Sequence, residues 1–202
     1  MSRVLVTGFE PFGSEARNAS WEATRLLAGQ PTDIELSAVQ LPCVFGASIS
    51  VLRAAIAEYR PDLVISTGIA GGRTEITPER VAINLDDARI PDNAGAQPID
   101  RPVVSGGPAA YFSRLPVKAS VAAVRAAGIP ASVSFTAGTF VCNHVFYGLL
   151  HLIATEMPSL RGGFVHVPAD MPVPVIADGL AGIVRACLET EQDLEVPAGT
   201  LY

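Results

Sequence analysis

The sequence predicts an α/β sandwich with a mostly parallel core sheet, and three observations carry that prediction. Short β-branched runs alternate with helical patterns along the whole 202-residue chain. The runs are continuously apolar rather than alternating, as in strands covered on both faces. Neither an internal repeat nor a linker interrupts the pattern, so residues 1–202 are expected to form a single α/β domain.

The elements follow in order. "RVLVTG" (3–8) is a buried strand. "NASWEATRLLAG" (18–29) is a helix that opens at Asn18, a good N-cap, and stops at Gly29. "IELSAVQLP" (34–42) is a strand. "VFGASISVLRAAIAEY" (44–59) is a helix with Val44, Ala47, Val51, Ala55 and Ile56 on one stripe, and Pro61 follows its end. "DLVISTGIAGG" (62–72) is a strand running into a glycine-rich turn. Residues 73–116 are irregular, with one strand at "RVAINL" (80–85). A connection of this length is unusual without structure of its own, so it is expected to hold a hairpin or subunit contacts. A helix at 117–128, a strand at "ASVSFTA" (131–137), a helix from about 143 to 156 and a strand at "GFVHVP" (163–168) come next. The last helix, about 173–189, carries Val175, Ile176, Ile183, Val184 and Cys187 on its apolar face.

Composition narrows the function. Hydrophobic residues make up 49% of the chain and charged residues 17%, which suits a substantial core and argues against disorder. The formal net charge is −6 and no basic face is visible, so no nucleic acid is expected as a partner. No apolar run reaches the roughly 20 residues of a membrane span, and no membrane partner is expected. The N-terminus reads as a first strand rather than a signal peptide. The three cysteines, Cys43, Cys142 and Cys187, are far apart and odd in number, which argues for reduced thiols in a cytoplasmic protein.

In α/β sheets, sites gather at the carboxyl ends of strands. The loops to inspect are therefore 8–18, 68–79, 136–143 and 166–172. Metal binding is not expected: Cys142 and His144 lie two apart, no second Cys/His pair is near, and neither HExxH nor CxxC occurs. "GIAGGR" (68–73) lacks the spacing of a dinucleotide fingerprint, and no Gly-Lys-Ser/Thr phosphate loop exists.

The stretch "TAGTFVCNHVFYGLLH" (136–151) sets Cys142 at a strand-to-helix seam. A helix N-terminus favours thiolate, lowering the thiol from about 8.5. A nucleophile also needs a base in reach and an orienter for that base. His144 is two positions along the same helix and points to another side; His151 is more than two turns away. His166, at the end of a strand that leads into a proline turn, is the better base. For the orienting acid, "TEITPERVAINLDDARIPDN" (74–93) offers Glu75, Glu79, Asp86, Asp87 and Asp92; Glu79 directly precedes a strand, but spacing alone does not choose. On these grounds Cys142 remains either a nucleophile or a buried filler.

At these residues the chain resembles the pyroglutamyl peptidase I family (pyrrolidone-carboxylate peptidases), cysteine peptidases that remove an N-terminal 5-oxoproline. "TAGTFVCNHVFYGLLH" resembles the family's nucleophile motif, "GGRTEITPERVAIN" (71–84) its acid motif and "GFVHVP" its histidine strand. "VLVTGFEPFG" (4–13) and "RIPDNAGAQPID" (89–100) match further segments. The resemblance runs through nearly the whole chain in order. It implies a three-layer α/β/α sandwich around a mixed, mostly parallel central sheet, a cytoplasmic location, no cofactor and a homotetramer. It assigns catalysis to Cys142, His166 and Glu79, with the oxyanion near the Cys142 N–H and Arg89. It assigns the lactam pocket to Phe9, Phe12, Ile90, Phe140 and Val141, with Asn18 fixing the loop or the substrate. Ile69 stands at a pocket position that is often Gln, and "NAS" (18–20) departs from the commoner "NPS".

The expected partners are then peptides that begin with pyroglutamate. Walls of Phe9, Phe12 and Phe140 would hold the neutral lactam and penalise the ammonium of an ordinary peptide. Two rivals stand beside this reading. A nucleoside phosphorylase-like enzyme on a similar sandwich would use the turn at 68–72 and Arg73 or Arg89 for phosphate. A binding protein without catalysis would need Cys142 only as a buried helix-start residue.

Overall fold

A computed structural model describes residues 2–201. The elements are β1 (Arg3–Phe9), α1 (Ala19–Ala28), β2 (Glu35–Leu41), α2 (Ala47–Tyr59), β3 (Leu63–Ala70), β4 (Thr77–Pro78), β5 (Val81–Ile83), β6 (Ala110–Phe112), α3 (Val117–Ala126), α4 (Val141–Thr155), β7 (Arg161–Pro168) and α5 (Val173–Glu189). The central sheet has the order β2-β1-β3-β7-β4. Its first four strands are parallel, and β4 runs antiparallel to β7. The sheet is therefore mixed and mostly parallel, as expected.

Strand alternation builds two cores. Val4, Val6, Ile65, Val165 and Val167 face one side and pack with Leu27 of α1, Val121 of α3 and Ile176, Leu180 and Ile183 of α5. Leu5, Val64 and Phe164 face the other side and pack with Leu52 and Ile56 of α2 and Val145, Phe146 and Leu149 of α4. Helices on both faces of one sheet make three layers. Burying one such aliphatic side chain contributes about 1.5–3 kcal/mol, so the paired faces supply most of the drive to fold.

Several sequence expectations shift by a turn or less. The Asn18 side chain caps α1, accepting from Ser20 N at 3.0 Å, and Gly29 closes the helix. Helix α2 begins at Ala47 rather than at residue 44, because Gly46 at φ 72° lies outside helical space. Its buried stripe is Ser48, Leu52, Ala55 and Ile56, and Val51 is exposed. The strand expected at 80–85 shortens to Val81–Ile83 and pairs with Ala110–Phe112, so the 73–116 region does hold a small two-stranded sheet.

The strand expected at 131–137 does not form as a regular element. Residues 130–134 do run beside 76–80. Ile76 N donates to Pro130 O, Ser132 N to Ile76 O, Ser134 N to Pro78 O and Arg80 N to Ser134 O. The missing rung is the one residue 78 would donate, and Pro78 has no N–H. Only isolated bridges remain, at Ile76–Ala131 and Glu79–Ser134.

Candidate active site

The carboxyl ends of β3 and β7 bring three sequence-predicted residues together. Gly68 of β3 lies opposite His166 of β7, and Thr77 of β4 lies opposite His166 on its other side. Alternation turns Gly68, Phe164 and His166 to the α4 face of the sheet. Cys142 reaches the same place from above, as the second residue of α4. A Cβ built on Gly68 would stand 2.7 Å from the Cys142 Sγ and 2.9 Å from Phe164 Cζ. The thiol therefore rests over the one residue of β3 that has no side chain.

Glu79 completes the group. Its backbone N donates to Phe164 O at 2.9 Å, which fixes the extended segment after β4 against β7. Its carboxylate is fully buried, and the His166 imidazole, 4% exposed, meets Oε1 through Nδ1 at 2.7 Å. A carboxylate can only accept, so the proton lies on Nδ1 and Nε2 is left to act as a base. Among the described residues the Cys142 thiol has no hydrogen-bond partner. Such a bond is often long until substrate closes the site.

Arg73, which the sequence offers only as a phosphate ligand in the rival reading, lies beside the acid. Its Nη1 donates to Glu79 Oε1 at 2.8 Å and to Thr77 Oγ1 at 2.7 Å, and Nη2 donates to Thr136 O at 2.8 Å. It lies in the glycine turn six residues before Glu79, and a cation so placed in the acid motif was the available signal. Three of its five N–H donors are thus engaged, with the acid, with Thr77 and with the segment before α4. The other carboxylate oxygen, Glu79 Oε2, is buried without a partner.

Helix α4 starts at Val141, two residues earlier than expected, and its cap residue Phe140 offers no side-chain hydrogen bond. The first-turn N–H groups, Cys142's among them, are thus not taken up by a cap. The expected lowering of the thiol does not hold in the free protein. Burial pushes the Cys142 thiol up, the neighbouring Cys43 and Glu79 add to this, and Arg73 only partly opposes them. Loss of hydration outweighs the helix N-terminus, so the thiol keeps its proton until a base removes it.

Around the thiol the aromatic residues line up. The Phe140 ring meets Phe12 edge-on at 5.3 Å and Phe45 edge-on at 5.3 Å. Phe9, 3% exposed, packs on Phe164 at 6.4 Å. Val141 is fully buried behind them, and Ile90 is 50% exposed on the 86–93 loop. Nothing in the sequence pattern marks Phe45. Its N–H donates to Asp92 Oδ2 at 2.9 Å. The next N–H, of Gly46, donates to His144 Nε2 at 2.9 Å, and His144 Nδ1 meets Asp86 Oδ2 at 2.8 Å. His144 is thus committed to a second buried pair and is not aimed at the thiol.

The remaining sequence candidates lie as follows. Asn18 Nδ2 donates to Glu10 O at 2.9 Å, so Asn18 fixes the 10–18 loop. Ile69 pairs with Val167 in register, and alternation turns it to the face opposite Gly68. Arg89 is exposed and makes no hydrogen bond or ion pair among the described residues. Among the described residues no group of three or more His, Cys, Asp or Glu side chains could hold a metal ion. No helix there is long and apolar enough to cross a membrane.

Comparison with known proteins identifies the family. The pyroglutamyl peptidase family model matches residues 2–197. The pyrrolidone-carboxylate peptidase of Streptomyces coelicolor is 57% identical, with both chains covered in full. That of Cupriavidus pinatubonensis is 52% identical, again in full. Among solved structures, pyroglutamyl peptidase I from Bacillus amyloliquefaciens superposes with a TM-score of 0.94 at 45% identity, covering 97% of this chain and 99% of that one. The pyrrolidone carboxyl peptidase of Thermococcus litoralis gives 0.93 at 33% identity, covering 98% and 100%. With the family model spanning nearly the whole sequence and full-length relatives above half identity, this chain belongs to the pyroglutamyl peptidase family.

Proposed function

We infer that this chain is a cysteine exopeptidase that hydrolyses the amide bond after an N-terminal pyroglutamyl residue, with Cys142 as nucleophile, His166 as base and Glu79 as its orienter. The observation that carries the reading is the buried Glu79–His166 bond at 2.7 Å beneath the thiol over Gly68. His166 Nε2 takes the thiol proton as sulfur attacks the 5-oxoproline carbonyl, and Glu79 stabilises the imidazolium. The Cys142 N–H, with the exposed Arg89 side chain, stabilises the oxyanion; loss of one such donor typically costs about 100- to 1000-fold. His166 then protonates the leaving amine, and water, deprotonated by His166, hydrolyses the thioester.

Phe12 and Phe140, backed by Phe9, Phe45 and Val141 and edged by Ile90, form the lactam wall. An apolar wall accepts a neutral lactam and leaves an α-ammonium without a partner, which costs several kcal/mol at about the scale of burying an unpaired polar group. Hydrolysis of a fluorogenic pyroglutamyl amide beside the matching prolyl and glutamyl amides tests this. Cleavage of the first alone is expected; equal rates on all three would remove the specificity assignment.

We place the protein in the cytoplasm, as one domain over 1–202 in a homotetramer. Its three cysteines are free, which suits a reducing compartment, and Ile99 and Phe112, each 72% exposed, are apolar surface that an assembly would cover. Light scattering reads the mass: a monomer at micromolar concentration would contradict the tetramer.

A further inference from the structure

We propose that Arg73 is a positioning residue that sets the strength of the general base by sharing Glu79 Oε1 with His166. This rests on the triad reading above. One carboxylate oxygen receives both the His166 Nδ1 bond at 2.7 Å and the Arg73 Nη1 bond at 2.8 Å, while Oε2 has no partner. The two donors therefore compete for the same negative charge.

Among the described residues, the charged and titratable groups placed about His166 are Glu79, from the extended segment after β4, Cys142 of α4, set over the Gly68 that lies opposite His166, and, through Glu79, Arg73 from the turn after β3; Thr77 of β4 brings only a hydroxyl. Glu79 and His166 are joined by one hydrogen bond, so a proton added to either is added beside the same cation. Whether that proton goes to the imidazole or to the carboxylate, the adjacent guanidinium opposes it. Arg73 thus keeps the pair in its working form, a carboxylate with a neutral imidazole, to lower pH than the pair alone would hold it. The second contact, to Thr136 O, ties this cation to the segment that leads into α4, so its distance from the pair is set by the fold.

The sign follows. Activity is lost as pH falls and the pair takes up its proton. Removing the cation eases that uptake, so the acid limb of kcat/KM moves to higher pH. The test is kcat/KM against pH on a pyroglutamyl amide for the native protein, Arg73→Met and Arg73→Lys. Arg73→Met is expected to move the acid limb up by about one pH unit, the scale of a nearby charge. Arg73→Lys is expected to bring it back, since it restores charge without the fork. A residue that only braces the fold would lower the plateau and leave the limb in place, and that result, or a shift downward, overturns the proposal. Where Arg73→Met is too unstable to assay, imidazole NMR on Arg73→Gln, with the His166 signal assigned by its loss in His166→Asn, reads the pair's titration directly; an unchanged midpoint is again fatal. The triad reading fails separately, through normal turnover by His166→Asn, whatever Arg73 does.

Discussion

A side-chain carbon on Gly68 would stand 2.7 Å from the sulfur of Cys142, closer than the two atoms can approach. Gly68 also faces His166 across the β3–β7 ladder. The space for the nucleophile is therefore made by a missing side chain on the strand beside its base. What looked in the sequence like a turn glycine is a strand residue whose absent Cβ admits the thiol.

Gly68→Ala should accordingly displace Sγ, and Phe164 leaves no room for retreat. A misplacement near 1 Å costs about 100-fold in kcat. Overpacking of this kind costs about 1–3 kcal/mol of stability. Steady-state kinetics with a melting curve separates the two effects. Unaltered kcat in a folded variant would mean that the thiol does not work from this position.

The thiols differ in how they can be activated. Burial, with Glu10 and Asp92, pushes Cys43 up to about 12. Burial pushes Cys187 up to about 11 despite Ser120 and Arg161. A thiol raised this far stays protonated and inert until the pH nears its value, so neither should alkylate at about pH 8. Cys142 is raised as well, but has His166 beside it. Iodoacetamide should label Cys142 alone, and His166→Ala should slow that labelling by about tenfold or more. Peptide mapping by mass spectrometry reads both, and preferential labelling of Cys43 would contradict the assignment.

Glu79 has no solvent to replace it. Glu79→Ala leaves the buried His166 Nδ1–H and one Arg73 N–H without their acceptor, and the imidazole without its orientation. A fall in kcat of about 100- to 10,000-fold is expected, the usual range for disabling acid–base catalysis, with a smaller change in KM. A loss confined to KM would place Glu79 in substrate binding instead.

His144 and Asp86 hold the pocket rather than the chemistry. Asp86→Ala strands the Nδ1–H of a buried imidazole whose other nitrogen accepts from Gly46, next to Phe45. The cost should be about 1–3 kcal/mol of stability, with KM rising as the Phe45–Phe140 contact loosens. Thermal denaturation and the KM-against-kcat split check this. A fall in kcat at unchanged KM would point to a part in catalysis.

Much of this architecture was legible in the chain. β1, the cap at Asn18 and the last helix at 173–189 follow from local pattern, because their apolar residues and caps lie within a few positions of one another. The 131–137 segment reads as a strand and misses being one because of Pro78, a partner more than 50 positions away. The same limit hid Arg73 and Phe45. Their meaning lies in Thr136 O, Asp92 and Phe140, contacts that no periodicity encodes. Helix-terminus reasoning expected an easily ionised thiol, and the enclosure that reverses this is a property of the packed sheet.

Cys142 is the one thiol of three expected to carry the reaction. Turnover of a fluorogenic pyroglutamyl amide by Cys142→Ala, Cys43→Ala and Cys187→Ala, each compared with the native protein, tests it most directly. Cys142→Ala is expected to abolish hydrolysis while the other two variants retain it. Native-like hydrolysis by Cys142→Ala would contradict it.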